Sequence, residues 1–187
     1  MYFIVDLEAT CWENPRIPDL NEIIDIGIIV CNDSYEKIGA WESLVKPKFN
    51  TRLSGFCKRL TSIKQIDVDS AEHIEQVFDR FYKWCKESDY DPTNRIWYTW
   101  GSWDLGCLIG DCERNKISFP FGEHRDLKTI YMQRRNLSSR EKCNVKDVLI
   151  REGLGDGLGL HRAMADASAA AKIAKLVFEL DSSQALS

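Results

Sequence analysis

Tyr2-Phe3-Ile4-Val5-Asp6-Leu7-Glu8-Ala9-Thr10-Cys11-Trp12 is the stretch on which the fold turns. Residues 2–5 are an apolar run rich in β formers, which reads as a buried central strand that Asp6 interrupts. On a strand, positions i and i+2 share a face about 7 Å apart, so Asp6 and Glu8 stand side by side. Two neighbouring carboxylates repel and raise each other's pKa unless a cation lies between them. A divalent ion that prefers oxygen, such as Mg²⁺ or Mn²⁺, resolves that conflict. Exposure at a strand end resolves it too, and with 16 Asp and 13 Glu in 187 residues about one Asp-x-Glu is expected by chance. A second does occur, Asp111-Cys112-Glu113. It falls on a predicted helix, where i and i+2 diverge, and reads as a solvated face.

Working outward, residues 23–30 are β-branched and almost continuously apolar and predict a second strand. Residues 37–45 predict a third, paired with it across the Asn32-Asp33-Ser34 turn signal. A short helix is predicted over 54–60. A long amphipathic one follows over 70–86, where Ile74, Val77, Phe78, Phe81, Tyr82 and Cys85 recur at three- and four-residue steps behind Ser70 as N-cap. Residues 95–100 predict another apolar strand, and 103–115 a helix capped by Ser102. Helices are also predicted over 127–135, 145–152 and 163–180, the last rich in alanine. Gly153, Gly155, Gly157 and Gly159 make the segment before it irregular. This order predicts an α/β domain with a mixed sheet flanked by helices: an antiparallel meander first, then a parallel strand entering through a helical crossover. The length fits a single domain over residues 1–180 with a frayed tail, 181–187.

Composition narrows the setting. No stretch of about 18 apolar residues occurs, so no membrane span is expected. The first residues read as structure and not as a signal peptide. Seven cysteines, an odd number with no Cys-x-x-Cys, fit reduced thiols in a cytoplasmic protein better than a disulfide framework or a zinc site. The net charge of −4 gives no general steering toward nucleic acid, so any such binding must come from a local patch or from bound cations. Two local basic clusters exist, Lys58, Arg59 and Lys64, and Arg134, Arg135, Arg140 and Lys142. Each reads equally as a phosphate track or as a solvated face.

Two further segments carry titratable groups where elements meet. Trp100-Gly101-Ser102-Trp103-Asp104 spans the end of a strand and the start of a helix. There an acid is also ordinary first-turn chemistry. His161-Arg162-Ala163-Met164-Ala165-Asp166 places a histidine after the glycine-rich loop and an acid near the start of the final helix, so the two can converge. His161 alone reads equally as a surface histidine.

Together, in the order Asp-x-Glu, Asp, His-x₄-Asp, these segments resemble the DEDDh exonucleases. The similarity is greatest to the Eri and three-prime histone mRNA exonuclease branch with its KapD-like bacterial members. Asp6 to Trp12 is similar to the branch's first motif, down to Ala9-Thr10-Cys11. Leu53-Ser54-Gly55-Phe56-Cys57 with Leu60-Thr61-Ser62-Ile63 resembles its Phe-Cys and Leu-Thr-x-Ile segment. Trp103-Asp104 and His161 to Asp166 resemble its second and third motifs. The likeness spans residues 2–178. Ala165 and Ala169 depart from the Asp and Asn common at those positions, neither of which is a ligand in the pattern.

The resemblance implies an RNase H-like fold and 3′→5′ hydrolysis of single-stranded RNA, or 3′ overhangs, to nucleoside 5′-monophosphates. It implies two Mg²⁺ or Mn²⁺ ions, with Asp6 bridging them, Glu8 and Asp166 completing the first site and Asp104 holding the second. His161 would be the general base, a role that requires a neutral imidazole. Phe56 and Trp103 would stack on the terminal base, and Ala9, Thr10, Leu60, Thr61 and Ile63 would line the same substrate pocket. The same chemistry on single-stranded DNA and a non-catalytic nucleic-acid-binding role are the alternatives.

Overall fold

A computed structural model describes residues 1–13, 21–138, 140–157, 159 and 161–184, with side chains through residue 179. Its centre is a five-stranded sheet in the order β3-β2-β1-β4-β5. The strands are β1 (Tyr2–Ala9), β2 (Ile23–Cys31), β3 (Lys37–Leu44), β4 (Trp97–Thr99) and β5 (His124–Asp126). The first three form the expected antiparallel meander, with Tyr2 opposite Cys31 and Ile28 opposite Trp41. β4 joins β1 in parallel, and β5 joins β4 in parallel. The helices are α1 (Gly55–Thr61), α2 (Gln65–Asp69), α3 (Ile74–Glu87), α4 (Trp103–Asn115), α5 (Leu127–Arg134), α6 (Val145–Arg151) and α7 (Ala163–Gln184).

Alternation along β1 sets the two layers. Phe3, Val5 and Leu7 point to one face and pack with Ile28, Val77, Phe78, Phe81 and Leu108, the side covered by α3 and α4. Tyr2 and Ile4 point to the other and meet Ala167, Ala170 and Ala174 of α7. Asp6 and Glu8 continue this second row, so the acids lie on the α7 face. The far side of α7 presents Ala169, Ile173 and Val177 to Tyr131 of α5 and to Val145, Val148 and Leu149 of α6. The final helix is thus packed on both sides, which explains its small residues. At its start the approach is closest. A Cβ on Gly27 of β2 would overlap the backbone of Ala163 and Met164, so only glycine fits there.

Several elements differ from the sequence expectation. β1 does not stop at Asp6 but runs to Ala9, because its backbone stays paired with β2 along its whole length. Ser70 is not the cap of the long amphipathic helix. It closes α2, a helix not expected, and α3 begins at Ile74 after His73. β5 is charged, His124-Arg125-Asp126, and lacks an apolar pattern; its pairing with β4 makes it a strand. α7 continues to Gln184, beyond the predicted end at 180, and the rest of the expected tail, 185–187, lies outside the described residues. The RNase H-like mixed sheet is as expected, with antiparallel and parallel halves and helices on both faces.

Gly27→Ala is therefore expected to destabilise the fold by about 1–3 kcal/mol or more through overpacking. A urea denaturation midpoint unchanged from the wild type would show that α7 does not seat on Gly27.

Candidate active site

Three carboxylates converge where β1 passes beneath the start of α7. Asp6, Glu8 and Asp166 each offer an oxygen, and these atoms lie within 4.8 Å of one another. The two β1 acids come from the strand's alternation. Asp166 arrives because the first turn of α7 is tied down locally: its Oδ2 accepts hydrogen bonds from the backbone N–H of His161 at 2.7 Å and of Arg162 at 3.2 Å. This self-capping explains the five-residue spacing from histidine to acid. His161 itself has φ of +73°, a left-handed backbone rare for a non-glycine residue, and such strain costs about 1–3 kcal/mol.

Asp104 stands behind this group. β4 pairs with β1 only at Phe3 and Ile4, so the Leu7 N–H lies past the end of that ladder. Asp104 Oδ1 accepts it at 3.0 Å. Two helical turns on, Asp111 accepts the Ile23 N–H at 2.7 Å and pairs with Arg114 at 2.5 Å. Asp104 and Asp111 thus pin one face of α4 to β1 and β2. Asp111 is buried, which corrects its reading as part of a solvated face; Glu113 is exposed as expected. The turn leading into α4 is set by Gly101, at φ of +96°, whose N–H donates to Asp126 Oδ1 at 3.0 Å.

Burial and mutual repulsion put these acids far from their ordinary values. Desolvation first, then the charges of Asp104, Asp166, Glu8 and Asp25, hold Asp6 well above the carboxylate range. Glu8 is pushed up to about 8 by burial and by Asp166, Asp25 and Asp104. Asp104 is raised to about 7 by burial, against the pull of the Leu7 N–H. Asp166 is raised by burial, moderated by its backbone donors. A set of hard oxygen donors that cannot all ionise alone fits divalent cations such as Mg²⁺ or Mn²⁺.

A cavity of about 510 Å³ opens over the group, lined by Asp6, His161, Asp166, Trp100, Gly157, Gly159 and the first residues of α6. Among the other predicted contacts, Trp103 is 52% exposed, Leu60 38% and Phe56 partly exposed, so these three can meet a ligand. Ala9, Thr10, Thr61 and Ile63 are buried, and none of them lines that cavity. The Thr10 hydroxyl accepts the Glu22 N–H at 2.9 Å, and the Thr61 hydroxyl donates to the Cys57 carbonyl at 2.9 Å. Lys58, Arg59 and Lys64 are exposed. The Arg135 guanidinium pairs with Glu152 at 2.5 Å, a carboxylate that also takes the Tyr131 hydroxyl.

The sequence reading missed Asp25 and Arg162. Asp25 is buried in β2, and its Oδ2 accepts Arg162 Nε at 2.8 Å and the Ala163 N–H at 3.3 Å. This pair fastens the start of α7 to the sheet beside Gly27 and offsets a further negative charge next to Glu8. A lone acid inside an otherwise apolar strand was its available signal.

An exonuclease family model matches residues 3–174. The chain belongs to that family. The nuclease domain of 3′hExo, described as a DEDDh family member bound to rAMP, superimposes with a TM-score of 0.86 at 27% identity, over 95% of this chain and 91% of that one. The 3′-5′ exonuclease Snipper of Drosophila melanogaster is 31% identical over 182 residues, which cover 87% of this chain and 64% of Snipper. The human 3′-5′ exoribonuclease 1 is 32% identical over 120 residues, covering 63% of this chain and 34% of that protein. This exonuclease-family chain thus spans under two thirds of the length of Snipper and of the human exoribonuclease.

The raised values fix the sign of a pH test. An acid whose pKa is raised on folding stabilises the fold fully only below its unfolded value. That contribution is lost as pH rises, from 4.5 to about 8 for Glu8 and from 3.8 to about 7 for Asp104. In EDTA the melting temperature should fall between about pH 5 and 8, Mg²⁺ should restore it most at the upper end, and Glu8→Gln should flatten the fall. Melting curves independent of pH and of Mg²⁺ would contradict the charge conflict.

Proposed function

We propose that this protein is a metal-dependent 3′→5′ exonuclease that shortens single-stranded RNA and releases nucleoside 5′-monophosphates. The observation that carries this reading is the convergence of Asp6, Glu8 and Asp166, with Asp6, Asp166 and His161 lining one cavity. The relatives named as exoribonucleases, and the solved relative bound to rAMP, support RNA as the substrate. Among the described residues no helix is long and apolar enough to cross a membrane. The seven cysteines are free, which supports a reducing, cytoplasmic setting.

Asp6, Glu8 and Asp166 would hold divalent cations, with Asp104 behind them for a second ion. Such cations activate a water and shield the phosphate's charge. His161 takes the proton of the attacking water on a ring nitrogen. Phe56, Leu60 and Trp103 receive the terminal nucleotide, the aromatic rings by stacking on its base, worth about 1–3 kcal/mol.

The test is a gel of 5′-labelled RNA and DNA oligonucleotides of matched sequence with Mg²⁺. A ladder shortening from the 3′ end with RNA, abolished by EDTA and by Asp6→Asn, is expected. His161→Ala should lower the rate about 100- to 10,000-fold with no change in melting temperature. Undiminished cleavage in EDTA would exclude the metal-dependent reading, and faster cleavage of DNA would reassign the substrate. Metal-independent binding of the oligonucleotide without cleavage would favour a binding protein.

A further inference from the structure

The start of α6 forms part of the catalytic cavity, and nothing in the fold requires the residue found there. Lys146 lines that cavity together with Asn144, Val145, Asp6, His161 and Asp166. Its backbone is held firmly. The Asn144 side chain caps α6 by accepting the Asp147 N–H at 2.9 Å, and its amide donates to the Asp147 carboxylate at 2.8 Å. Val145 is buried against the residues of α7 that follow Asp166 in the same helix. Lys146 and Asp166 are therefore parts of one packed unit.

The side chain is placed as well. A Cβ on Gly157 would lie 2.6 Å from Lys146 Cγ, so Gly157, at φ of +68°, lets the glycine-rich segment pass over the aliphatic stem. The ammonium itself is exposed, and no described residue gives it a hydrogen bond or an ion pair. Nor does it serve the helix, since a cation in a first turn sits at the wrong end of the macrodipole. What remains is a compact positive charge on a fixed stem in a cavity whose other charged walls are carboxylates.

We propose that Lys146 binds a non-bridging oxygen of the scissile phosphate, and so adds a protein cation to that site. This rests on the exonuclease reading. A phosphodiester entering the cavity carries a negative charge past Asp6 and Asp166, and a lysine acts on it as a point charge.

The experiment measures kcat and KM of the full chain with Mg²⁺ on two RNA oligonucleotides. One is unmodified, and one carries a neutral methylphosphonate at the linkage just 5′ of the scissile one. Lys146→Met keeps the stem over which Gly157 passes and removes only the charge. It should lower kcat/KM about 10- to 100-fold on both substrates, with melting temperature and Mn²⁺ affinity unchanged. Lys146→Arg should retain most of the activity. An active wild type with Lys146→Met within about twofold of it overturns the proposal alone. So does a loss that vanishes on the methylphosphonate substrate, which places the lysine on the upstream phosphate, and so does an equal loss in Lys146→Arg. A wild type that hydrolyses neither substrate overturns the exonuclease reading and this proposal with it.

Discussion

Four buried or half-buried carboxylates, Asp6, Glu8, Asp104 and Asp166, are held closer together than their charges tolerate. Much of the remaining structure serves to keep them there. Repulsion among desolvated acids would push a loosely built site apart, so each acid is fixed by something stronger than a rotamer preference. Asp6 and Glu8 belong to a central strand paired on both sides at its start and flanked by two packed faces. Asp104 accepts the Leu7 N–H. Asp166 accepts two N–H groups from the segment that carries His161. The energy that holds this arrangement comes from the apolar layers on the two faces of the sheet, and divalent cations would relieve the conflict at its centre.

The final helix transmits that support. It is packed between the sheet and α5–α6, and its first turn is seated on Gly27 and fastened by the Asp25–Arg162 pair. A small shift of this helix would move Asp166 and His161 together, because the acid's hydrogen bonds tie the histidine segment to its own helix. The strain at His161, in a left-handed conformation after four glycines of positive φ, sits where the chain must turn from an irregular segment into the site.

The architecture was legible from residue patterns that depend on local geometry. Alternation placed Asp6 and Glu8 on one face. The apolar run of residues 23–30 marked β2, and three- and four-residue steps marked α3. The Asp166 and His161 pairing was legible too, because a self-capped helix start needs only a few residues. What pattern did not show were features made by partners distant in the chain. β5 is a strand because β4 lies beside it. Asp111 is buried because the Ile23 N–H, 88 residues away, needs an acceptor. Arg135, read as part of a basic patch, pairs with Glu152. The acids of Asp-x-Glu type show the same limit: one pair lies in the site, while Asp111 of the other staples a helix, and only tertiary context separates them.

The claim on which the account stands is that Asp6, Glu8 and Asp166 form a divalent-cation site. Anomalous X-ray diffraction from crystals grown with Mn²⁺ tests it most directly. An anomalous peak bounded by these three carboxylates, lost in Asp6→Asn crystals, is expected. Ordered Mn²⁺ only at other positions, with the three carboxylates undisturbed, would contradict it.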